Sequence, residues 1–348
     1  MRALTVIPGR AGSAAVIEVP EPALADGPVL VRTHAVGVCG TDEEIVSGSY
    51  GWAPAGEERL IIGHESLGEV MEAPADSGFK PGDLVAGVVR RPDPVPCLAC
   101  GAGEWDMCRN GRYTERGIKQ RHGFASERFR IEPDFLVPIA PELGLLGVLM
   151  EPASILAKAW EHVERIGQRA RWAPQTVLVT GVGPIGLLAA MMGRQRGLEV
   201  HVLARSPDGP RPRLARALGA TYHAGEVTDL PFHPDVVLEC TGVPEVVVAA
   251  MQQLAPAGIC CLAGISSGAR RICLDGGTAE RQMVLGNEVL FGSVNANMRH
   301  FRAAAEALAR ADRGWLGGLV TRREPLDRWQ SALQRQADDI KTVIDFTL

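Results

Sequence analysis

The sequence has few aromatic residues and almost no net charge, and each shortage excludes a class of protein. Phe, Trp and Tyr together make up only 5% of its 348 residues, so Ala, Val, Leu and Ile must fill the core. Lys and Arg number 36 and Asp and Glu number 41, which leaves a formal net charge of −5. A chain so close to neutral lacks the basic surface that attracts nucleic acids or anionic membranes. We therefore expect neither of these as a partner.

The sequence also lacks a secretory signal and an unbroken membrane span. Its opening residues, MRALTVIPGR, have neither a long apolar run nor a small-residue cleavage site, which predicts a cytoplasmic protein. Residues 172–193 form a long uncharged stretch, which is about as long as a membrane span. However, Gly181, Gly183, Pro184 and Gly186 divide it into a strand, a turn and a helix. No segment is expected to cross a membrane.

The order of strands and helices predicts an α/β fold with two domains, as the length also suggests. Residues 1–153 contain short alternating runs such as VLVRTHAVGV and GDLVAGVVR, which are typical of a mostly antiparallel β domain. In residues 154–295, strands such as TVLVT and EVHVLA alternate with helical segments, which predicts a doubly wound parallel sheet. Residues 296–348 return to the first domain with helical stretches near 298–310 and 326–337 and a final strand, TVIDF.

The sequence GVGPIG marks a dinucleotide-binding turn. Its three glycines directly follow an apolar strand and open a helix, which is the context that such a turn requires. The first glycine allows the tight turn, the second lets the backbone approach a pyrophosphate, and the third allows close helix packing. The helix N-terminus attracts the negative charge. We therefore expect cofactor contacts at Gly181, Gly183, Pro184, Ile185 and Gly186.

The end of the next strand predicts which nicotinamide cofactor binds. Ala204 stands where an acidic residue would bond the ribose 2′-hydroxyl of NAD, and Arg205 and Ser206 follow it. A guanidinium and a hydroxyl suit a phosphate, so the sequence favours NADP, with NAD as a possible substitute. An Arg205 that simply points to solvent is the alternative.

Two short motifs bring together side chains that bind zinc. CGTD at residues 39–42 and GHE at residues 63–65 supply a thiolate, an imidazole and carboxylates. Zn²⁺ accepts this mixture of ligands when one position must stay open for a substrate. A further carboxylate, Glu151, begins the predicted helix that leads into the second domain. Asp42 is placed to orient His64 by accepting its second N–H.

With these motifs the chain resembles the zinc-dependent medium-chain dehydrogenases, and among them the glucose dehydrogenase branch. The resemblance rests on CGTD, GHE, VRRP, GEWDMC, RYTERGI, EPAS, GVGPIG and VNANMRHF, which follow in that order along essentially the whole chain. It implies a GroES-like catalytic domain together with a Rossmann domain. It also implies a catalytic zinc held by Cys39, His64 and Glu65, with Glu151 or water in the remaining position. The other implied residues are a proton relay at Thr41 and cofactor contacts at Thr241, Gly264 and Asn295.

A second group of cysteines matches part of the structural zinc lobe of this family. Cys97, Cys100 and Cys108 match the last three ligand positions, but Pro94 stands at the first. Asp93 is the candidate for the missing ligand, and a metal-free lobe whose thiols merely pack is the alternative. The later cysteines lie in apolar, strand-like surroundings, so we expect them to be small core residues: Cys240, Cys260, Cys261 and Cys273.

The resemblance also implies a site for a sugar. Buried hydroxyl groups must be paired, and relatives pair them with polar side chains at positions that match Glu115, Glu151, Asn295 and His300 here. Two departures stand out: Arg90 lies where some relatives have an amide, and Ile155 where some have a carboxylate. Two interpretations of Arg90 and the adjacent Arg91 remain open. They form a solvated strand end, or they bind an anionic or modified sugar.

These residues predict a zinc- and NADP-dependent dehydrogenase that transfers a hydride between a sugar or polyol-like alcohol and the nicotinamide. The first alternative is the same chemistry on a cyclitol, an amino alcohol or an aldehyde. The second is a non-catalytic protein, either a dinucleotide-binding partner or a thiol–zinc redox sensor built on the three lobe cysteines. The resemblance further implies a homodimer or a homotetramer.

Overall fold

A computed structural model describes residues 1–266, 272 and 274–348 of the chain. These residues form two compact units, one of Met1–Ser154 with Asn295–Leu348 and the other of Ile155–Val294. Cys273, which the sequence predicts to be a core residue, lies outside the described residues.

The first unit begins with short, mostly antiparallel strands, because its apolar residues alternate with polar ones. Its strands are β1 (Arg2–Val6), β2 (Ala15–Glu18), β3 (Val29–Gly37), β4 (Leu60–Ile61), β5 (Glu65–Glu72), β6 (Leu84–Gly87), β7 (Arg90–Arg91), β8 (Thr114–Arg116), β9 (Gln120–Arg121), β10 (Arg128–Ile131) and β11 (Leu136–Pro138). Two short helices, α1 (Gly40–Val46) and α2 (Leu98–Gly101), interrupt them. Turns of 3₁₀ helix lie at Leu24–Asp26, Trp105–Met107 and Pro133–Phe135, and a longer 3₁₀ stretch at Pro141–Leu149.

The second unit alternates strands and helices. Its strands are β12 (Thr176–Thr180), β13 (Glu199–Ala204), β14 (Thr221–Ala224), β15 (Val236–Glu239), β16 (Ile259–Leu262) and β17 (Val289–Gly292). Helix α3 (Met150–Gly167) leads into the unit, and the connecting helices are α4 (Pro184–Gln195), α5 (Pro210–Ala217), α6 (Pro244–Gln252) and α7 (Gly276–Gly286). A 3₁₀ turn lies at Val227–Asp229. The six strands are parallel and ordered β14-β13-β12-β15-β16-β17, so strand order reverses between β12 and β15. That order is the doubly wound dinucleotide-binding arrangement.

The chain then returns to the first unit through α8 (Met298–Arg310), α9 (Arg313–Gly317), β18 (Val320–Pro325), a 3₁₀ turn (Leu326–Arg328), α10 (Trp329–Leu333) and β19 (Lys341–Asp345). Strand β19 pairs with β3 and so completes the large sheet, whose order is β11-β6-β5-β3-β19-β18 with β10 also on β3. The helix predicted over residues 326–337 ends at Leu333, because Gln334 adopts an extended conformation.

Packing within each unit follows the sequence pattern. Phe124 and Phe129 meet at 4.7 Å in the core of the first unit, among small aliphatic residues. In the second unit, Cys260 and Cys261 are fully buried on β16, and burial raises the pKa of both thiols. The expected core role of these two cysteines is therefore confirmed, whereas Cys240 is only half-buried.

One helical stretch has the length and composition of a membrane span. It covers Pro141–Gly167, and 72% of its most apolar window is buried inside the protein. Residues 172–193, which the sequence singled out for the same reason, are divided between β12 and α4 as predicted.

Candidate active site

Cys39 lies at the junction of β3 and α1, where it occupies the N-cap position of the helix. Its backbone N–H donates to Asp42 Oδ2 at 2.9 Å, which fixes the turn between strand and helix. The carboxylate also lies in the first turn of α1, where a negative charge is favoured. The motif CGTD therefore fixes the backbone conformation at Cys39 through Asp42. The predicted relay residue Thr41 has its Oγ1 4.0 Å from Cys39 Sγ.

His64 and Glu65 enter the same region at the start of β5. Gly63 precedes them with φ of +86°, and a Cβ there would lie 2.7 Å from the Val36 side chain, so the turn requires glycine. Ligand atoms of Cys39, His64 and Glu65 all lie within 4.8 Å of one another. The structure therefore brings together the three side chains that the sequence nominated as zinc ligands.

The electrostatics of His64 show that this cluster attracts positive charge. Burial opposes a charge on the imidazole, but the Asp42 carboxylate and the Cys39 thiol outweigh it and raise the pKa of His64 well above its usual value. His64 Nδ1 lies 3.4 Å from Asp42 Oδ1, and the orienting role of Asp42 stays a prediction. Thiolate, imidazole and carboxylate around a site that favours a cation are the donor set that Zn²⁺ prefers, so these residues fit that metal.

Glu65 has a partner that no sequence motif revealed. Lys341, the first residue of β19, donates from Nζ to both Glu65 carboxylate oxygens at 2.7 Å and to the Val38 carbonyl at 3.0 Å. Glu65 also packs so closely against Gly37 that a Cβ there would lie 2.0 Å from its Oε2. Glu65 therefore faces the cluster as a carboxylate whose charge Lys341 already balances.

Glu151, in the first turn of α3, belongs to the same electrostatic cluster. Burial raises its pKa to about 7, and the charges of His64, Glu65, Lys341 and Asp42 all act on it. Glu151 therefore lies within electrostatic range of the cluster. Its role and that of Thr41 stay predictions.

The three lobe cysteines come together, but without Asp93. The sulfur atoms of Cys97, Cys100 and Cys108 lie within 4.8 Å of one another. Cys97 Sγ accepts the backbone N–H groups of Arg109 at 3.4 Å and Cys100 at 3.5 Å, which lower its pKa to about 6. Burial raises the pKa of Cys100 to about 11.

Asp93 is occupied elsewhere in the same loop. Its Oδ1 accepts from the backbone N–H of Val95 at 2.8 Å, and its Oδ2 accepts from Asn110 Nδ2 at 2.8 Å and Arg112 Nε at 3.2 Å. The three thiols therefore suit a soft metal, while the fourth ligand stays a prediction.

A buried ion pair joins two of the predicted substrate residues. Arg90 donates from Nε at 3.1 Å and from Nη2 at 3.0 Å to Glu115 Oε1, and Asn295 Nδ2 donates to the same oxygen at 2.8 Å. The Arg90 guanidinium also stacks on the ring of Tyr113, 3.7 Å from its centroid. The register of β7 against β8 places Arg90 directly opposite Glu115, so the pair is a cross-strand contact.

The interpretation of Arg90 and Arg91 as a solvated strand end is wrong. Their exposed fractions are 6% and 4%, because each guanidinium is covered by an aromatic ring and paired with a carboxylate. Arg91 stacks 3.9 Å from the Phe135 ring and binds Glu132, and burial lowers its pKa to about 10. Tertiary contacts, which the local sequence does not show, account for both.

His300 lies in a neighbouring polar cluster. Its Nδ1 accepts the backbone N–H of Asn297 at 3.2 Å, closing the N-terminal cap of α8. Asn297 Nδ2 donates to Asp106 Oδ1 at 2.6 Å, and Arg90 Nη1 donates to the Asp106 carbonyl at 3.1 Å. Arg90 thereby connects Glu115 to Asp106, whose side chain accepts the hydrogen bond from Asn297.

The glycine turn of the second unit has the geometry of a phosphate cradle. Gly181 has φ of +92°, and a Cβ on Gly186 would lie 2.0 Å from the Gly181 carbonyl oxygen. A Cβ on Gly183 would meet nothing within 4 Å, so open space remains where a ligand would approach the backbone. Pro184 and Ile185 then open α4, whose N-terminal N–H groups suit a pyrophosphate.

A buried carboxylate that the sequence did not single out holds the neighbouring turn. Glu239, at the end of β15, accepts from the backbone N–H of Thr241 at 2.7 Å and of Gly242 at 3.1 Å, and from Thr180 Oγ1 at 3.2 Å. A Cβ on Gly264 would lie 2.2 Å from the Gly242 nitrogen. The predicted cofactor residues Thr241 and Gly264 thus meet at the ends of adjacent strands. Arg205 and Ser206 are exposed just beyond β13.

A GroES-like β unit with a zinc-type ligand cluster, joined in one chain to a dinucleotide-type parallel sheet, defines the class of medium-chain dehydrogenases. Known proteins refine that class. The family description "Alcohol dehydrogenase GroES-like domain" matches residues 25–141, and "Glucose dehydrogenase C-terminus" matches residues 144–346. The chain therefore belongs to the glucose dehydrogenase family of zinc-dependent medium-chain dehydrogenases, which confirms the predicted family, fold class and enzyme class.

Individual relatives agree with this assignment. The chain is 39% identical to a glucose 1-dehydrogenase of Methanocella arvoryzae and 40% identical to one of Thermoproteus tenax, each alignment covering 99% of both proteins. Among solved structures it is similar to Haloferax mediterranei glucose dehydrogenase in complex with NADP, Zn and gluconolactone, with a TM-score of 0.90, 35% identity and full coverage of both chains.

Proposed function

We propose that the chain is a zinc-dependent glucose 1-dehydrogenase that oxidises the hemiacetal carbon of a neutral pyranose with NADP. The observation that carries the proposal is the convergence of Cys39, His64 and Glu65 within 4.8 Å in a chain similar to a dehydrogenase bound to NADP, zinc and gluconolactone. In this reaction the substrate hydroxyl loses its proton, a hydride leaves the carbinol carbon for the nicotinamide, and the products are a lactone, NADPH and a proton.

Cys39, His64 and one of the carboxylates Glu65 and Glu151 would hold the zinc. Zinc, when bound, supplies a Lewis acid that lowers the pKa of a hydroxyl group. Asp42, whose Oδ1 lies 3.4 Å from His64 Nδ1, is proposed to orient the imidazole. Lys341 balances the negative charge of Glu65 and so reduces the repulsion between the negatively charged side chains that would surround the metal. Thr41, whose hydroxyl lies next to Cys39, is proposed to pass the substrate proton outward.

NADP is proposed to bind in the unit Ile155–Val294. The glycine turn would cradle the pyrophosphate, and Thr241 and Gly264 would line the neighbouring strand ends. Arg205 and Ser206 follow β13, whose last residue, Ala204, stands where an acidic side chain would repel a 2′-phosphate. Their exposure leaves both side chains accessible to such a group.

The charge balance around Glu115 supports a neutral sugar. Arg90 and Glu115 form a buried pair with no net charge, and the Arg90 guanidinium is also bonded to the Asp106 carbonyl and stacked on Tyr113. An anionic sugar would have to displace these contacts in order to pair with Arg90. A neutral hydroxyl group needs only an acceptor, and Glu115 offers one.

A second zinc is proposed at Cys97, Cys100 and Cys108, with the fourth position taken by Asp93 after rearrangement or by an exogenous ligand. Zinc measured on the purified protein distinguishes two ions per chain from one. We also propose a homodimer or homotetramer, which light scattering measures directly.

The function is tested by mixing the purified chain with NADP or NAD and a panel of sugars, cyclitols, amino alcohols and aldehydes, before and after chelation. We expect zinc-dependent NADP reduction that is fastest with an aldopyranose. Faster turnover of a cyclitol, an amino alcohol or an aldehyde would identify that compound class, and not a sugar, as the substrate. No turnover of any compound in a zinc-loaded sample would contradict the enzymatic proposal.

A further inference from the structure

Two large aromatic side chains lie exposed in the first unit, in a chain that has few aromatic residues. The exposed fractions of Tyr50 and Trp52 are 40% and 45%, and their ring centroids lie 5.0 Å apart at an angle of 73°. Water-exposed aromatic surface of this size is unfavourable, and adjacent exposed rings are a feature of binding sites.

The backbone holds this aromatic pair in place. The Trp52 N–H donates to the Ile118 carbonyl at 2.9 Å, and the Trp52 carbonyl accepts the Gln120 N–H at 2.9 Å. Gly51, between the two rings, has φ of +99°, and a Cβ there would touch the Ile45 side chain of α1 at 3.3 Å. These hydrogen bonds and the close contact with α1 fix the conformation of the segment. A ligand that binds to the two rings therefore loses little free energy in ordering them.

Backbone hydrogen bonds also connect the segment that carries the pair to Glu115. Trp52 pairs with Lys119 as an isolated bridge. Lys119 in turn exchanges both backbone hydrogen bonds with Glu115, at 2.8 and 2.9 Å, and Glu115 lies opposite Arg90. Trp52 and Glu115 are therefore connected by two successive sets of backbone hydrogen bonds through residues 118–120.

Electrostatics give a second indication of proximity. Burial raises the pKa of Tyr50, and the charge of Glu115 raises it further, with smaller effects of Tyr113 and Arg90. Tyr50 therefore lies near the ion pair rather than on a separate surface.

The Glu115 carboxylate uses one of its two oxygens for the contacts with Arg90 and Asn295. Arg90 and Asn295 donate only to its Oε1, and among the described residues no hydrogen bond is made to Oε2. The site thus offers a fixed aromatic surface at one end and an anchored, unused acceptor at the other.

We propose that Tyr50 and Trp52 form an aromatic platform against which the C–H face of a pyranose ring packs, while Glu115 Oε2 accepts from a hydroxyl on the ring. This proposal rests on the proposed function and assigns the part of the substrate remote from the reacting carbon. A pyranose combines an apolar C–H face with hydroxyl groups on its rim, so one ring satisfies both ends of the site. A short open-chain alcohol reaches only one of them.

The test compares Trp52→Ala and Trp52→Phe with the wild-type enzyme, loaded with zinc and NADP, on glucose and on a short diol oxidised by the same enzyme. Loss of one aromatic contact should lower the ratio of kcat/KM for glucose to that for the diol about three- to tenfold in Trp52→Ala, and Trp52→Phe should restore most of it. Leu24→Ala, which removes an exposed apolar side chain elsewhere in the unit, is the matched control and should leave the ratio unchanged.

Tryptophan fluorescence provides a readout that does not depend on turnover. Glucose should change the fluorescence of the zinc-loaded wild type without cofactor, and Trp52→Phe should remove that change.

An unchanged ratio of kcat/KM for glucose to that for the diol in Trp52→Ala, or an equal loss of kcat/KM on both substrates, overturns the proposal. A change of oligomeric mass in Trp52→Ala at a constant ratio also overturns it, because the platform is then a contact between subunits. Failure of the wild type to oxidise any sugar would instead refute the proposed function, and the fluorescence titration would still report on the platform.

Discussion

Lys341 Nζ donates hydrogen bonds to both carboxylate oxygens of Glu65 at 2.7 Å, although the two residues lie 276 positions apart in the chain. Both side chains are buried, with exposed fractions of 3% and 1%. Strand β19 runs antiparallel beside β3, which also pairs with β5, and this arrangement brings Lys341 to the Glu65 end of β5. A positive charge fixed beside the metal-ligand cluster balances Glu65 and limits its freedom to bind a cation.

Replacing Lys341 with Met should therefore have two effects. It leaves the Glu65 carboxylate buried without its counter-charge, which should cost about 3–5 kcal/mol in the free energy of unfolding of the metal-free protein. It should also strengthen zinc binding, because Glu65 becomes available as a ligand. Denaturant unfolding and competition with a zinc chelator measure the two effects. The double variant Lys341→Met, Glu65→Gln is the control, and it should recover part of the stability. Equal stability of Lys341→Met and the wild type would contradict the role of this pair.

The zinc assignment predicts that Cys39→Ala loses both metal and activity. A thiolate supplies one of the few protein ligands at the site, so the variant should retain its fold but hold one zinc fewer per chain and show no turnover. Elemental analysis, circular dichroism and NADP reduction measure these properties. Cys261→Ala removes a buried thiol of β16 and serves as the control, with full zinc content expected. Zinc content equal to that of the wild type in Cys39→Ala would show that Cys39 is not a ligand.

Local motifs explain why much of the fold and part of the site were predictable. The glycine turn and the GHE motif depend on residues adjacent in sequence, whose spacing has a direct steric reason, as at Gly63 and Gly186. The contacts that were missed depend on strand register between distant segments. Lys341 against Glu65 and Arg90 against Glu115 are of this kind, and neither is visible until the strands are paired. The sequence likewise left open a solvated strand end at Arg90 and Arg91, because their buried contacts depend on residues that are distant in the chain.

The choice of cofactor is tested at Arg205. A charge-assisted contact with the 2′-phosphate is worth about 1.5–3 kcal/mol, so Arg205→Ala should weaken NADP binding roughly tenfold or more and leave NAD nearly unchanged. Dissociation constants from fluorescence or calorimetry measure this without catalysis. Arg213→Ala, an exposed arginine on α5, is the matched control for a general loss of positive charge. Equal weakening of NADP and NAD by Arg205→Ala would mean that Arg205 contacts another part of the cofactor.

Arg90 and Asn295 hold the Glu115 carboxylate in place as a hydrogen-bond acceptor. Glu115→Ala removes the carboxylate proposed to bind a hydroxyl remote from the reacting carbon, and it leaves the buried Arg90 without its carboxylate partner. A site built to bind a hydroxyl discriminates strongly in favour of substrates that carry it, because its own polar groups are otherwise unpaired. We therefore expect Glu115→Ala to narrow the gap in kcat/KM between a polyol or sugar and a short alcohol, chiefly by lowering the value for the sugar.

Glu115→Gln keeps the shape of the side chain and one acceptor oxygen, so it should retain more of the gap in kcat/KM than Glu115→Ala. Steady-state kinetics on matched substrates measure the ratio, and thermal unfolding of both variants separates lost recognition from lost stability. If both variants leave the ratio at its wild-type value, Glu115 serves only to neutralise Arg90, and the sugar must be recognised by other residues.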